Sequence, residues 1–223
     1  MSEVQFRPAS ESALMVDFSG NFSGDIRLET VQKVHRLLAL LDRAHQPGIR
    51  ELTPSYSSLL VEFNPLEIGM DDIESHVRFC LEQVGQIELP PADQIEVPVF
   101  YGGEYGPDLP WVAERLKLTA TQLVEIHCAQ IFTVAFFGFL PGFAYLEGWP
   151  SKYAVPRLDS PRSQVPSGSV GLAGAQCGIY PRESPGGWRI LGRSPLPIVD
   201  ATSPNFCRFS LGAKLRFYPA RPR

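Results

Sequence analysis

The sequence predicts a small α+β domain followed by a mainly-β domain of barrel or sandwich type. Three observations point there. Apolar residues recur at helical spacing in the first half of the 223-residue chain. Gly and Pro crowd the second half, 28 of 40 falling after residue 100. Charge divides the same way: residues 1–150 hold 21 acids and 9 bases (net -12), and residues 151–223 hold 3 acids and 11 bases (net +8). The two sum to the mild -4 of the whole, which hides the contrast.

The elements follow in order. Residues 4–7 and 14–18 are short β-like runs. Residues 30–44 place Val31, Val34, Leu37, Leu38 and Leu41 on one stripe, with Gln32, Lys33, His35 and Arg36 on the other face, which is helical spacing. Pro47-Gly48 stops that helix. Residues 49–53 and 58–63 are two more β-like runs. Residues 71–84 read as a second helix, with Asp71 and Asp72 at its positive end. The order β-β-α-β-β-α predicts an antiparallel sheet covered by two helices, of ferredoxin-like kind, over residues 1–88. Leu89-Pro90-Pro91-Ala92-Asp93 opens a linker at 89–94, since paired prolines continue neither a helix nor a central strand.

The second domain is expected over 95–223. Residues 95–101 alternate as a strand. Asp108 suits a helix cap and Pro110 the first turn behind it. Thr119 and Gln122 have capping-box spacing before a short helix toward His127. Residues 131–137 are an aromatic and β-branched strand. Beyond Gly138 the punctuation is dense, with strand candidates at 169–173, 178–180, 188–192 and 215–218.

Composition excludes several classes. Hydrophobic residues at 44% and charged residues at 20% are globular values. The four cysteines form no CxxC pair, so free thiols in a reducing, cytoplasmic setting are expected, with no metal site. MSEVQFRPASE carries no signal-peptide pattern. No apolar run nears the ~18 residues of a membrane span. No P-loop, Rossmann fingerprint or GxSxG elbow is present. His35, His45 and His76 read as solvated histidines of the first domain.

Three segments can carry chemistry. Gly138-Phe139-Leu140-Pro141-Gly142-Phe143 is either a hydrophobic turn or a rigid ligand wall. Arg157 and Arg162 each follow a proline, and fixed guanidinium groups suit carboxylate or phosphate. Ser167-Gly168-Ser169 offers hydroxyls and N–H groups for an anion nest. Tyr180 and Trp188 read as core aromatics, and Arg193 as a further cation of the same basic face. His127, near a helix C-terminus, is a structural histidine or a proton carrier whose pKa the helix end would raise.

At these residues the sequence acquires a likeness. HCAQIFTVAFFGFLPGFAYL, VPRLDSPRSQVPSGSVGLAGAQCGIYPRESPGGW, LGRSPLPIVD and VFYGGEYGPDLPWVA resemble blocks of the family of B-type subunits of prokaryotic 5-oxoprolinase. That family includes the Kip-type inhibitor of a sporulation histidine kinase and often bears the label allophanate hydrolase subunit 1. The resemblance implies a cyclophilin-like β-barrel behind the α+β domain. It implies two partner subunits of 5-oxoprolinase, one C-type and one A-type, and an ATP-consuming opening of 5-oxo-L-proline to L-glutamate. Magnesium would serve as the counter-ion of ATP, held by the partners. The resemblance gives no nucleic-acid or membrane partner. It assigns His127, Arg157, Arg162 and Arg193 to the chemistry. Phe139, Pro141, Gly142, Pro166, Ser169, Gln176, Tyr180, Ser184, Gly187 and Trp188 then line a site for a small anionic substrate or the nucleotide. A Kip-like regulator of a sensor histidine kinase is the alternative reading, and a prolyl isomerase a third by barrel analogy alone. Cys177, Ser167 and Ala213 depart from the family pattern, where threonine, alanine and an acid are usual.

Overall fold

A computed structural model describes residues 4–20 and 27–222. Residues 1–3 of the MSEVQFRPASE segment, and Arg223 of the basic tail, lie outside the described residues. The chain separates into two compact units, Met1–Pro91 and Ala92–Arg223.

The first unit is a four-stranded antiparallel sheet with two helices. Its strands are β1 (Gln5–Ser10), β2 (Ala13–Asp17), β3 (Ile49–Pro54) and β4 (Ser58–Phe63), in the order β1-β2-β4-β3. Helix α1 is Leu28–Ala44 and α2 is Met70–Gln83. Alternate residues of β2 and β4 (Leu14, Val16, Leu59, Val61, Phe63) meet the helical stripe of Val34, Leu37, Leu41, Ile73 and Val77. The chain order β-β-α-β-β-α is the one expected, and it builds the ferredoxin-like sheet in permuted form. Segments β2-α1-β3 form a split β-α-β with β4 between its parallel strands. The fourth strand, which a ferredoxin-like β-α-β-β-α-β chain supplies last, is here supplied first, by β1 through a hairpin. One correction concerns His35: it is buried at 5% exposure, because α1 is covered over a wider arc than its apolar residues mark.

The second unit is a closed seven-stranded barrel, ordered β10-β7-β6-β13-β5-β12-β9. Its strands are β5 (Gln94–Tyr101), β6 (Phe132–Phe137), β7 (Ala144–Glu147), β9 (Ser169–Ala173), β10 (Gln176–Ile179), β12 (Arg189–Arg193) and β13 (Lys214–Pro219). The first and last strands pair in parallel, Gln94–Val99 against Lys214–Pro219 in register, and this closes the wall. A separate two-stranded ribbon, β8 (Arg162–Val165) with β11 (Ser184–Gly186), completes the strand set.

Period-two alternation gives the wall two buried faces. Val97, Val99, Phe132, Val134, Leu146, Val170, Leu172, Cys177, Ile179, Leu191, Leu215 and Phe217 fill the interior and come from all seven strands. Gly171, Ala173, Gly178 and Ile190 face the other way, where a second cluster of Phe143, Val165, Tyr180 and Trp188 gathers.

Two helices precede β6: α3 (Leu109–Arg115) and α4 (Ala120–Ala129). The capping box on α4 forms in full: Gln122 N–H donates to Thr119 Oγ1 at 3.1 Å, and Thr119 N–H donates to Gln122 Oε1 at 2.9 Å. Leu123 and His127 project from α4 into the barrel core. No helix among the described residues is long and apolar enough to cross a membrane.

Thr119→Ala removes the cap acceptor and should cost about 1 kcal/mol. Urea unfolding should show this as a lower midpoint with an unchanged m-value, and an unaltered midpoint would deny the cap its role.

Candidate functional site

The motif residues divide between the two faces of the barrel wall. His127 lies on the inner one. It has no solvent exposure and packs against Phe132, Trp149 and Phe217, with the nearest ring, Phe217, 4.7 Å away between centroids. Its Nδ1 lies 2.8 Å from Tyr101 Oη, and its Nε2 lies 3.6 Å from Cys177 Sγ. Burial pushes its pKa down to about 3. Of the two readings of His127, the structure matches the structural histidine, and the proton carrier with a raised pKa is corrected. The helix end does not raise its pKa, because desolvation outweighs a partial charge, and a neutral imidazole sealed in the core exchanges no proton with a ligand. The family departure at Cys177 sits against this histidine, which makes it a packing change.

The outer face holds the aromatic cluster. Phe143 lies edge-on to Tyr180 at 5.0 Å and to Trp188 at 5.5 Å, while Tyr145 contacts both Phe143 and Trp188. Glycine makes this packing possible. Gly171 and Gly178 are cross-strand partners, and a Cβ on Gly178 would lie 2.9 Å from the Phe143 ring and 3.0 Å from that of Trp188. The rings therefore rest directly on backbone. Burial pushes the Tyr180 phenol up to about 12, although the Trp188 backbone N–H bonds its oxygen.

Loop 138–142, joining β6 to β7, forms the rim. Leu140 N–H donates to Gly138 O at 2.7 Å, a tight turn that holds Phe139 at φ +64°. Such backbone costs about 1–3 kcal/mol and persists where its surroundings impose it. Phe143 N–H donates to Leu140 O, and Val199 packs beneath Gly142. Phe139 is left 60% exposed, its ring edge-on to Phe143 and Tyr180. The loop is thus both a packed turn and a rigid aromatic wall.

The β8–β11 ribbon contributes Val165 to the cluster and joins the wall through charge. Arg162 Nη1 and Nη2 donate to Asp108 Oδ2 and Oδ1 at 2.9 and 2.8 Å. Asp108 is 7% exposed at its side chain, and its Oδ2 also accepts Ile190 N–H at 2.7 Å. Arg189 adds a second cation 3.9 Å from Oδ1 and stacks on Trp111 at 3.6 Å. Asp108, expected as a side-chain cap of α3, makes no cap bond; its carboxylate is spent here. On the same ribbon, Ser184 is buried and its hydroxyl has no hydrogen-bond partner among the described residues.

The remaining motif residues scatter. Arg157 is exposed, and its neighbours are pinned: Leu158 N–H donates to Gly187 O at 2.8 Å, and Pro156 O accepts from Arg189 Nε at 3.3 Å. Arg193 lies over the Tyr105 ring at 4.7 Å and pairs across the wall with Ser169. Gln176 opens β10, four residues before Tyr180 and about 13 Å from it along an extended strand. Pro141 and Pro166 are exposed turn residues.

The anion nest expected at Ser167–Ser169 is corrected. Gly168 N–H donates to Tyr180 O at 2.8 Å, Ser169 N–H to Pro166 O at 3.2 Å, and Ser167 Oγ to Pro181 O at 2.9 Å. These three donors are spent within the fold and are not turned to a ligand. Among the described residues no cluster of three or more His, Cys, Asp or Glu is placed to hold a metal. Sequence reasoning missed Asp108, Arg189 and Tyr145. Asp108 stands in a family block, but nothing in the sequence pairs it with an arginine 54 residues away.

Comparison with known proteins adds a likeness along the chain. The family described as carboxyltransferase domain, subdomain C and D, matches residues 4–209. The B-type 5-oxoprolinase subunit of Bacillus subtilis (strain 168) is 33% identical over 204 residues, covering 87% of this chain and 83% of its own. That of Escherichia coli O157:H7 is 36% identical over 197 residues, covering 88% of each. Among solved structures, TTHA0988 superposes with a TM-score of 0.79 at 30% identity, covering 95% of this chain. The match spans 40% of that longer chain.

Two outcomes follow from the site. The unfolded chain protonates His127 below pH 6.5 while the folded protein resists until about 3, so stability present above pH 6.5 is lost as pH falls. Wild type should lose up to about 1.4 kcal/mol per pH unit more than His127→Gln across that window; equal slopes in pH-dependent urea unfolding would refute the assignment. Asp108→Ala leaves two guanidinium groups and a buried N–H unpaired and should cost about 3–5 kcal/mol, measured by chemical denaturation. A loss below about 1 kcal/mol, the size of a surface pair, would show the ribbon is held by other contacts.

Proposed function

The chain belongs to the carboxyltransferase subdomain C and D family, among the B-type subunits of 5-oxoprolinase, and from that membership we propose that it is part of an ATP-dependent enzyme opening 5-oxo-L-proline to L-glutamate. The observation that carries this reading is a likeness at 33–36% identity along most of both chains. A protein of this kind works with other subunits. In this reading they are a C-type subunit, which shares the site, and an A-type one.

The chemistry fits what the chain offers. A lactam is a poor electrophile, and phosphorylation of its amide oxygen makes ring opening feasible. The substrate is a small apolar ring bearing a carboxylate. Phe139, Tyr180 and Trp188 supply aromatic surface, and Arg157 supplies exposed positive charge beside it. In this reading ATP and its magnesium fall to the partner subunits, which is supported by the Ser167–Ser169 loop, an expected anion nest, having three of its donors bonded within the fold. ATP consumption also sets the reaction in the cytoplasm. The barrel is of cyclophilin-like type in the same reading, which by itself assigns no isomerase activity.

Reconstitution tests the proposal. Glutamate release from 5-oxo-L-proline and ATP should require this chain together with its C-type and A-type partners, and this chain alone should be inactive. An unchanged rate when it is omitted would sink the reading. Arrest of sensor-kinase autophosphorylation by the chain would put the regulatory alternative in its place.

A further inference from the structure

We infer that Arg157 holds the carboxylate of the ligand, and that Asp108 and Arg162 are positioning residues that fix the β8–β11 ribbon without touching it. The identity of the ligand rests on the function proposed above; the division of labour rests on the geometry.

Arg157 and Arg162 look equivalent in sequence, each behind a proline in one basic segment. The fold separates them. Both terminal nitrogens of Arg162 grip one buried carboxylate in bidentate geometry, which holds its guanidinium on Asp108. Through Asp108 that bond ties the ribbon to the start of α3 and to the backbone of β12. Arg157 has no carboxylate partner among the described residues. Its backbone is nonetheless fixed on both sides, by Pro156 O and Leu158 N–H, and the latter bond sets it beside Gly187-Trp188. Its charge is felt at the cluster: burial raises the phenols of Tyr145 and Tyr180, Arg157 opposes that rise at both, and Arg162 opposes it at Tyr180 alone.

A guanidinium carried on pinned backbone beside buried aromatic rings recognises a small anion joined to an apolar ring. The ribbon adds Ser184, 8% exposed, whose unpartnered hydroxyl a ligand would satisfy. This combination selects a carboxylate at one end and a compact ring at the other.

The test compares 5-oxo-L-proline with 2-pyrrolidinone, the same lactam without its carboxylate, by calorimetric titration of the assembled complex. Wild type should prefer the carboxylate ligand by about tenfold or more, the scale of a charge-assisted pair. Arg157→Gln should bring that ratio near one at an unchanged Tm, and Arg157→Lys should restore part of it. Arg162→Gln should lower Tm and weaken both ligands by a similar factor, keeping the ratio. A ratio that survives Arg157→Gln, or vanishes only in Arg162→Gln, overturns the inference. If the wild-type complex neither binds nor turns over 5-oxo-L-proline, the functional reading fails by itself. Cyclopentanecarboxylate, followed by tryptophan fluorescence, then decides the subsite: quenching lost in Arg157→Gln upholds it, and no quenching in wild type overturns it.

Discussion

One buried carboxylate, Asp108, joins three segments that the chain keeps far apart. It accepts both arms of Arg162 from the ribbon and the backbone N–H of Ile190 from the barrel wall, and it begins α3. Arg189 approaches as a second cation, so the group carries one more positive than negative charge. A charge this buried needs such partners, and removing one strands the others. The ribbon's place over the aromatic cluster depends on it, and with the ribbon the place of Val165 and Ser184.

The barrel wall is buried on both sides, and the two sides do different work. The interior is an apolar core whose one histidine is held neutral among rings. The outer face of β7, β9, β10 and β12 carries aromatic rings that lie against glycine backbone. Cross-strand Gly171 and Gly178 are the physical condition for that, since side chains there would occupy the space of Phe143 and Trp188. A strained turn at Phe139 leaves one further ring in solvent at the rim.

Much of the architecture was legible along the chain because it rests on local rules. Helical stripes, the Thr119–Gln122 box and the strand at 169–173 need only periodicity and capping chemistry. Strands β7, β8 and β11 were not legible. They are three or four residues long, β8 is polar, and β11 contains Pro185. Only pairing with distant segments makes them strands. The permuted order of the first sheet was hidden likewise, because period-two patterns identify a strand but not its neighbour.

The sequence by itself determined the family, the change from α+β to β-rich construction, and the motif residues that are candidates for a site. The tertiary structure alone decided how those residues are used. His127 and Trp188 stand in equally recognisable motifs, yet one is sealed inside the barrel and the other faces outward. Arg157 and Arg162 stand in one segment, yet one is exposed and the other paired with Asp108, 54 residues away. Motifs record residue type and spacing, whereas burial and ion pairing depend on which distant segments the barrel closure brings against each side chain.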